Sequence, residues 1–110
     1  MSTENERLQE VYAAYRRAMD SRSRDLKDAK TTAQVDQILA NIDALKAAYL
    51  RAASASLDKT GPQVEAAFRA AKEANEAVTA ALAAAKALPE RIRAFTKLAE
   101  AVGKLVAVGD

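Results

Sequence analysis

Apolar residues return every three or four positions along nearly the whole chain, in four successive rows. Leu8, Tyr12, Tyr15, Met19 and Leu26 make the first row, and Val35, Ile38, Ile42, Leu45 and Tyr49 the second. Val64, Phe68, Ala71, Val78, Leu82 and Ala85 make the third, and Ile92, Phe95, Ala99, Val102 and Val106 the fourth. Polar residues fill the positions between. This is the period of helices that each press one face on a neighbouring helix, with coiled-coil-like 3-4 spacing. The expected fold is all-α: an antiparallel up-down helical bundle of three long helices, the third kinked or broken at Pro89.

The breaks between rows carry start and stop signals. Thr3 and Glu6 have capping-box spacing, and so do Thr31 and Gln34. Gly61 suits the residue after a helix, and Pro62 the first position of the next. The predicted helices cover about 4–29, 32–58, 62–88 and 89–107 within a single domain. At Pro89 two readings stand. The third helix continues with a kink, to about 47 residues and roughly 70 Å at 1.5 Å per residue, or Pro89 opens a fourth helix that folds back. Residues 80 to 93 contain no Gly, Asn, Asp or Ser to ease a reversal, which favours the kink.

Short turns make successive helices antiparallel neighbours. Pairing about the first turn sets Leu26 against Val35, Met19 against Ile42, Tyr15 against Leu45 and Tyr12 against Tyr49. Pairing about the second sets Ile42 against Val78 and Ile38 against Leu82. Three helices then match in length, and the last twenty residues are surplus. Were the third helix to run on, Ile92, Phe95, Leu98, Val102, Leu105 and Val106 would form an exposed apolar stripe. Such a stripe folds back, pairs with another copy or binds a partner.

Composition narrows the core. Half of the 110 residues are hydrophobic, but only 5% are aromatic and 28 are Ala, so helices must approach closely to bury enough surface. The charge excess is small, 17 cations against 15 anions, so a pI near 9.0 does not mark a dedicated nucleic-acid binder. There is no Cys, which excludes thiol chemistry and fits a cytoplasmic location. The polar start, Met1 to Glu6, lacks the pattern of a secretory signal, and no run is long enough for a transmembrane segment.

Candidate chemistry is sparse. With neither His nor Cys, the commonest general base and the best nucleophile are missing, so no catalytic, cofactor-binding or metal-ligating residue is assigned and no enzyme activity is expected. Asp25 and Asp28, like Glu73 and Glu76, read as solvated charges. Arg22 falls in the core phase of the first row and reads as a snorkelling side chain. Asn75 falls in the third row and reads either as a register-setting polar residue or as one tolerated near an edge. Arg16, Arg17, Arg24 and Lys27 could touch phosphates, but Asp20, Asp25 and Asp28 interrupt them. The last segment could lie on a membrane surface, with a small cation excess and no Trp. The leading expectation is a non-enzymatic adaptor, assembly factor or inhibitor. Its partner is another protein or a second copy (a dimer preferred), held by the C-terminal stripe.

Overall fold

The computed structural model describes residues 1–110 as four helices: α1 (Glu4–Asp28), α2 (Thr32–Ser54), α3 (Pro62–Ala83) and α4 (Leu88–Gly109). The caps form where the sequence placed them. The Glu6 amide donates to Thr3 Oγ1 at 3.1 Å and the Thr3 amide to Glu6 Oε1 at 2.9 Å, closing the capping box of α1. At α2 the Gln34 amide donates to Thr31 Oγ1, while the Gln34 side chain accepts from the Lys30 amide, one residue beyond the box. Gly61 precedes α3 with φ of 124°, a conformation that only Gly adopts without strain, and Pro62 opens the helix.

Of the two readings at Pro89, the chain takes the fold-back. α3 ends in a Schellman arrangement: the Lys86 amide donates to the Ala81 carbonyl and the Ala85 amide to the Leu82 carbonyl. Ala85 occupies the left-handed position with φ of 51°. The sequence hid this turn because Gly normally stands there. Ala accepts the conformation at a cost of roughly 1–2 kcal/mol. Ala85→Gly should therefore stabilise the protein by about 0.5–1 kcal/mol after the entropy of the added Gly is set against it. Urea unfolding of the single variant checks the sign, and a loss of stability would contradict the assignment.

The helices alternate in direction, but α2 and α3 are diagonal and make no contact. Around the bundle the order is α1, α2, α4, α3. α1 pairs antiparallel with α2, and α3 with α4; the two hairpins then meet through parallel α2–α4 and α1–α3 contacts and across the α1–α4 diagonal. The expected pairing of Ile42 with Val78 and of Ile38 with Leu82 is thus not made. The link from Ala55 to Gly61 crosses the end of the bundle diagonally, where its Leu57 is buried. The expected first-turn pairing does form, with Tyr12 and Tyr49 ring centroids 5.1 Å apart.

The core line of α1 is the main departure from expectation. Arg7, Val11, Ala14, Ala18, Ser21 and Asp25 are buried, one position before the row of large residues. Tyr12 and Met19 are 38% and 41% exposed instead. Small residues line the common core, Ala48, Ala52, Ala67 and Ala71 among them, and helices that approach this closely favour small side chains at the centre. Larger residues are displaced to the flank facing α2.

The C-terminal stripe is filled by the chain itself. Phe95, Leu98, Val102, Leu105 and Val106 are buried in the common core, and Ile92 packs half-buried against it. Within this fold five of the six residues have almost no exposed apolar surface, and Ile92 keeps only part of its own. The amphipathic last segment likewise spends its apolar face inside the bundle.

Candidate functional site

Two features separate themselves from the Ala-lined remainder: a set of buried polar contacts between the hairpins, and an apolar outer face on α1 and α2. The buried polar residues are Arg7, Ser21, Asp25, Asn41, Asn75 and Arg91. Their bonding follows one rule. Each bonds across the boundary between the α1–α2 and α3–α4 halves, Ser21 indirectly through Asp25.

At one end Arg7 donates to the Leu57 and Lys59 carbonyls at 2.6 and 2.9 Å, to Ser2, and to Glu65 Oε2 at 3.3 Å. The Glu65 carboxyl lies below its ordinary value because the Ser2 hydroxyl and amide donate to it and Arg7 stands beside it. At the other end Arg91 bonds Asp25 at 3.0 Å, Asp28 at 2.7 Å and the Lys86 carbonyl at 2.8 Å. Burial alone would lower the Arg91 pKa, but bonds to Asp28 and Asp25 outweigh it and raise the value. Between the ends, Asn41 donates to Thr96 Oγ1 and the Ile92 carbonyl, while Asn75 accepts from Arg17 at 2.7 Å and donates to Glu10. No buried side-chain polar atom is left without a partner.

This geometry reassigns several residues. Asp25 is not a solvated charge; it is 3% exposed and held by Arg91 and Ser21. Asn75 belongs to a polar layer between α1 and α3 rather than to a solvated edge. Of the candidate phosphate contacts, Arg17 is half-buried and engaged by Asn75, while Arg16, Arg24 and Lys27 remain exposed and Arg16 pairs with Asp20. Arg22 is exposed, its head in water. Arg7, Ser21, Asn41 and Arg91 carry no local sequence signal of burial, and the two arginines have the farthest partners. Beyond Ser2 and Lys86, five positions off, those partners lie 50 to 66 positions away, outside any local pattern.

Each of these buried polar atoms is thus already bonded within the chain. The interior space bordered by Asp25, Asn41, Ile38, Ile92 and Phe95 has room for a single water at most.

The second feature is open to solvent. Tyr12 and Tyr15 of α1 meet Tyr49 of α2, and Met19 and Leu50 are exposed on the same two helices. Tyr49 is the hinge of the cluster, 5.1 Å from the Tyr12 ring and 5.7 Å from that of Tyr15, which it stacks upon. Leu50 is 54% exposed. Arg16 donates to the Tyr12 hydroxyl, and that bond, with the charge of Asp20, raises the Arg16 pKa. Apart from Met1, every large apolar side chain exposed beyond a third lies on α1 or α2; α3 and α4 contribute none. Comparison with known protein families, with curated proteins and with solved structures gives no match. No helix is long and apolar enough to cross a membrane.

Proposed function

We propose that the chain is a non-enzymatic protein-interaction module whose docking surface is the outer face of the α1–α2 hairpin. The observation that carries this reading is the segregation of exposed apolar bulk. Elsewhere the chain covers its outer positions with Ala and with polar or charged residues, whereas α1 and α2 expose Tyr12, Met19 and Leu50 in addition to the Tyr15–Tyr49 stack. Tyr and Met are enriched at protein interfaces because they supply contact area with few torsions to fix or with an adaptable thioether. Large apolar side chains gathered on one face mark such surfaces more often than scattered ones do.

The adaptor reading from the sequence is kept, and its interface moves from the C-terminal stripe to α1 and α2. The fold supports the move: α4 already has its partners within the chain, so its apolar residues need no second copy. A photo-crosslinking residue at Met19 or Leu50, with Ala107 as the control on α4, tests the reading in cells. Protein adducts are expected from the first two positions and not from the third. Adducts from Ala107 alone would overturn it.

A further inference from the structure

We infer that the cleft between the α1–α2 turn and the α3–α4 turn binds a short chain of phosphate groups. Residues 22–36 and 86–93 form this end of the bundle. They carry seven cations against four anions, whereas the rest of the chain carries ten against eleven. The positive surplus of the whole molecule therefore sits at one end. There Lys27, Lys30 and Lys86 line one open cleft of about 580 Å³, with Ala29, Ala87 and Pro89 on its walls. All three lysines are exposed, and none forms an ion pair within the chain.

Folding creates this cluster. Along the sequence Asp25 and Asp28 interrupt the cations of α1. In the bundle Arg91 engages both, at 3.0 and 2.7 Å, and Lys86 comes across to share a cleft with Lys27 and Lys30. Asp28 is the only carboxylate on the cleft; Asp36 and Glu90, the other two anions of this end, do not border it. Lys27 also meets the negative end of α1, an effect that fades within a turn, while Lys30 and Lys86 lie outside the helices. Three ammonium groups around one cleft repel each other, and a bound polyanion relieves that repulsion.

The residue types select the ligand. An ammonium acts as a point charge and rewards charge density rather than planar geometry. Linked phosphates carry more charge in less volume than a chain of carboxylates does. The one guanidinium on the cleft is already engaged by Asp25, Asp28 and the Lys86 carbonyl. No aromatic ring lines the cleft to stack a base or a sugar, so charge is recognised rather than ring shape. Three free cations suit two or three linked phosphates better than one.

The test is an NMR titration of the full chain with sodium tripolyphosphate at low salt, where screening is weak. Saturable amide shifts are expected at residues 27–34 and 85–91. Lys27→Ala/Lys30→Ala/Lys86→Ala should weaken binding at least about tenfold. The control, Lys72→Ala/Lys97→Ala/Lys104→Ala, removes equal charge elsewhere and should change affinity by less than about threefold. All six side chains are exposed, so both variants keep the core, which circular dichroism checks. An equal loss in the control, or no saturable shift, overturns the site. A triglutamate peptide that binds as tightly as tripolyphosphate overturns the phosphate chemistry. Adenosine triphosphate separates the sources. Affinity within about threefold of tripolyphosphate supports a free phosphate chain, and binding at least about tenfold tighter supports a nucleotide that carries one. A mixed-sequence single-stranded RNA that binds more tightly than either, through the same lysines, overturns the compact ligand and assigns this end to nucleic acid.

Discussion

Arg91→Met is expected to cost about 3–5 kcal/mol of folding stability. The Arg91 and Asp25 side chains are each 5% exposed, so the methionine variant leaves a carboxylate in the core with only the Ser21 hydroxyl for company. It also strips the Lys86 carbonyl and Asp28 of their guanidinium, and with them the contact between the α3–α4 turn and the end of α1. The attraction within such a pair is largely offset by the cost of taking both ions out of water. What makes the single substitution severe is the unpaired ion it leaves behind. Arg91→Met/Asp25→Leu should accordingly recover most of the loss, since an apolar pair of similar volume serves as well. Urea denaturation of both variants checks the prediction. A single variant within about 1 kcal/mol of the parent would show that Asp25 finds water or another partner.

At the opposite end Arg7→Met should cost less, about 1–3 kcal/mol, because it leaves carbonyls rather than a buried ion unpaired, and its damage should be local. Arg7 is the only donor that the structure gives the Leu57 and Lys59 carbonyls, and it ties the diagonal crossover to α1. Without it the link from 55 to 61 should become the first site of proteolytic cleavage, ahead of either helical hairpin. The same cluster sets an acid limb. Glu65 has a folded pKa below its ordinary 4.5, so the unfolded chain binds more protons between those two values. Its contribution is complete above about pH 4.5 and fades as pH falls through the folded value. Glu65→Gln should flatten that limb of the stability profile, and an unchanged limb would remove Glu65 from the account.

The two latches and the Asn layers explain how an Ala-rich chain fixes one arrangement. Ala-on-Ala contacts tolerate sliding by a turn, because one methyl resembles the next. Hydrogen bonds from Arg7, Arg91, Asn41 and Asn75 do not tolerate it, since a shifted register buries their polar atoms unpaired. Apolar contacts draw each hairpin together; polar contacts specify how the hairpins dock.

Much of this was legible in the sequence and some of it was not, for reasons that individual residues show. The 3-4 spacing, Thr3 with Glu6, Thr31 with Gln34, and Gly61-Pro62 located the helices because each signal acts within one or two turns. The phase of α1 differs from its apolar row because the largest apolar residues of this helix do not form its core. In a narrow bundle the centre belongs to Ala14, Ala18 and Ser21, and Tyr12 and Met19 are left at the surface. The reversal before Pro89 stood as the less favoured of two readings because an alanine, not a glycine, holds the left-handed position. The diagonal crossover escaped because a short link implies adjacency, and seven residues, 55 to 61, suffice to cross a bundle end. The stripe from Ile92 to Val106 looked surplus only while the third helix was thought to continue. Once it turns back, the same residues complete the core, and the free apolar surface appears on α1 and α2.

The arrangement stands on α4 being inside the bundle, and thiol labelling measures this directly because the chain has no cysteine of its own. Val102 and Gly103 are neighbours on α4, the first fully buried and the second exposed. In dilute samples shown by light scattering to be monomeric, Val102→Cys should react with a disulfide reagent at least about a hundredfold more slowly than Gly103→Cys, because its labelling waits on local opening. Equal rates at the two positions would mean that the stripe is open to solvent, and the closed four-helix bundle would be wrong.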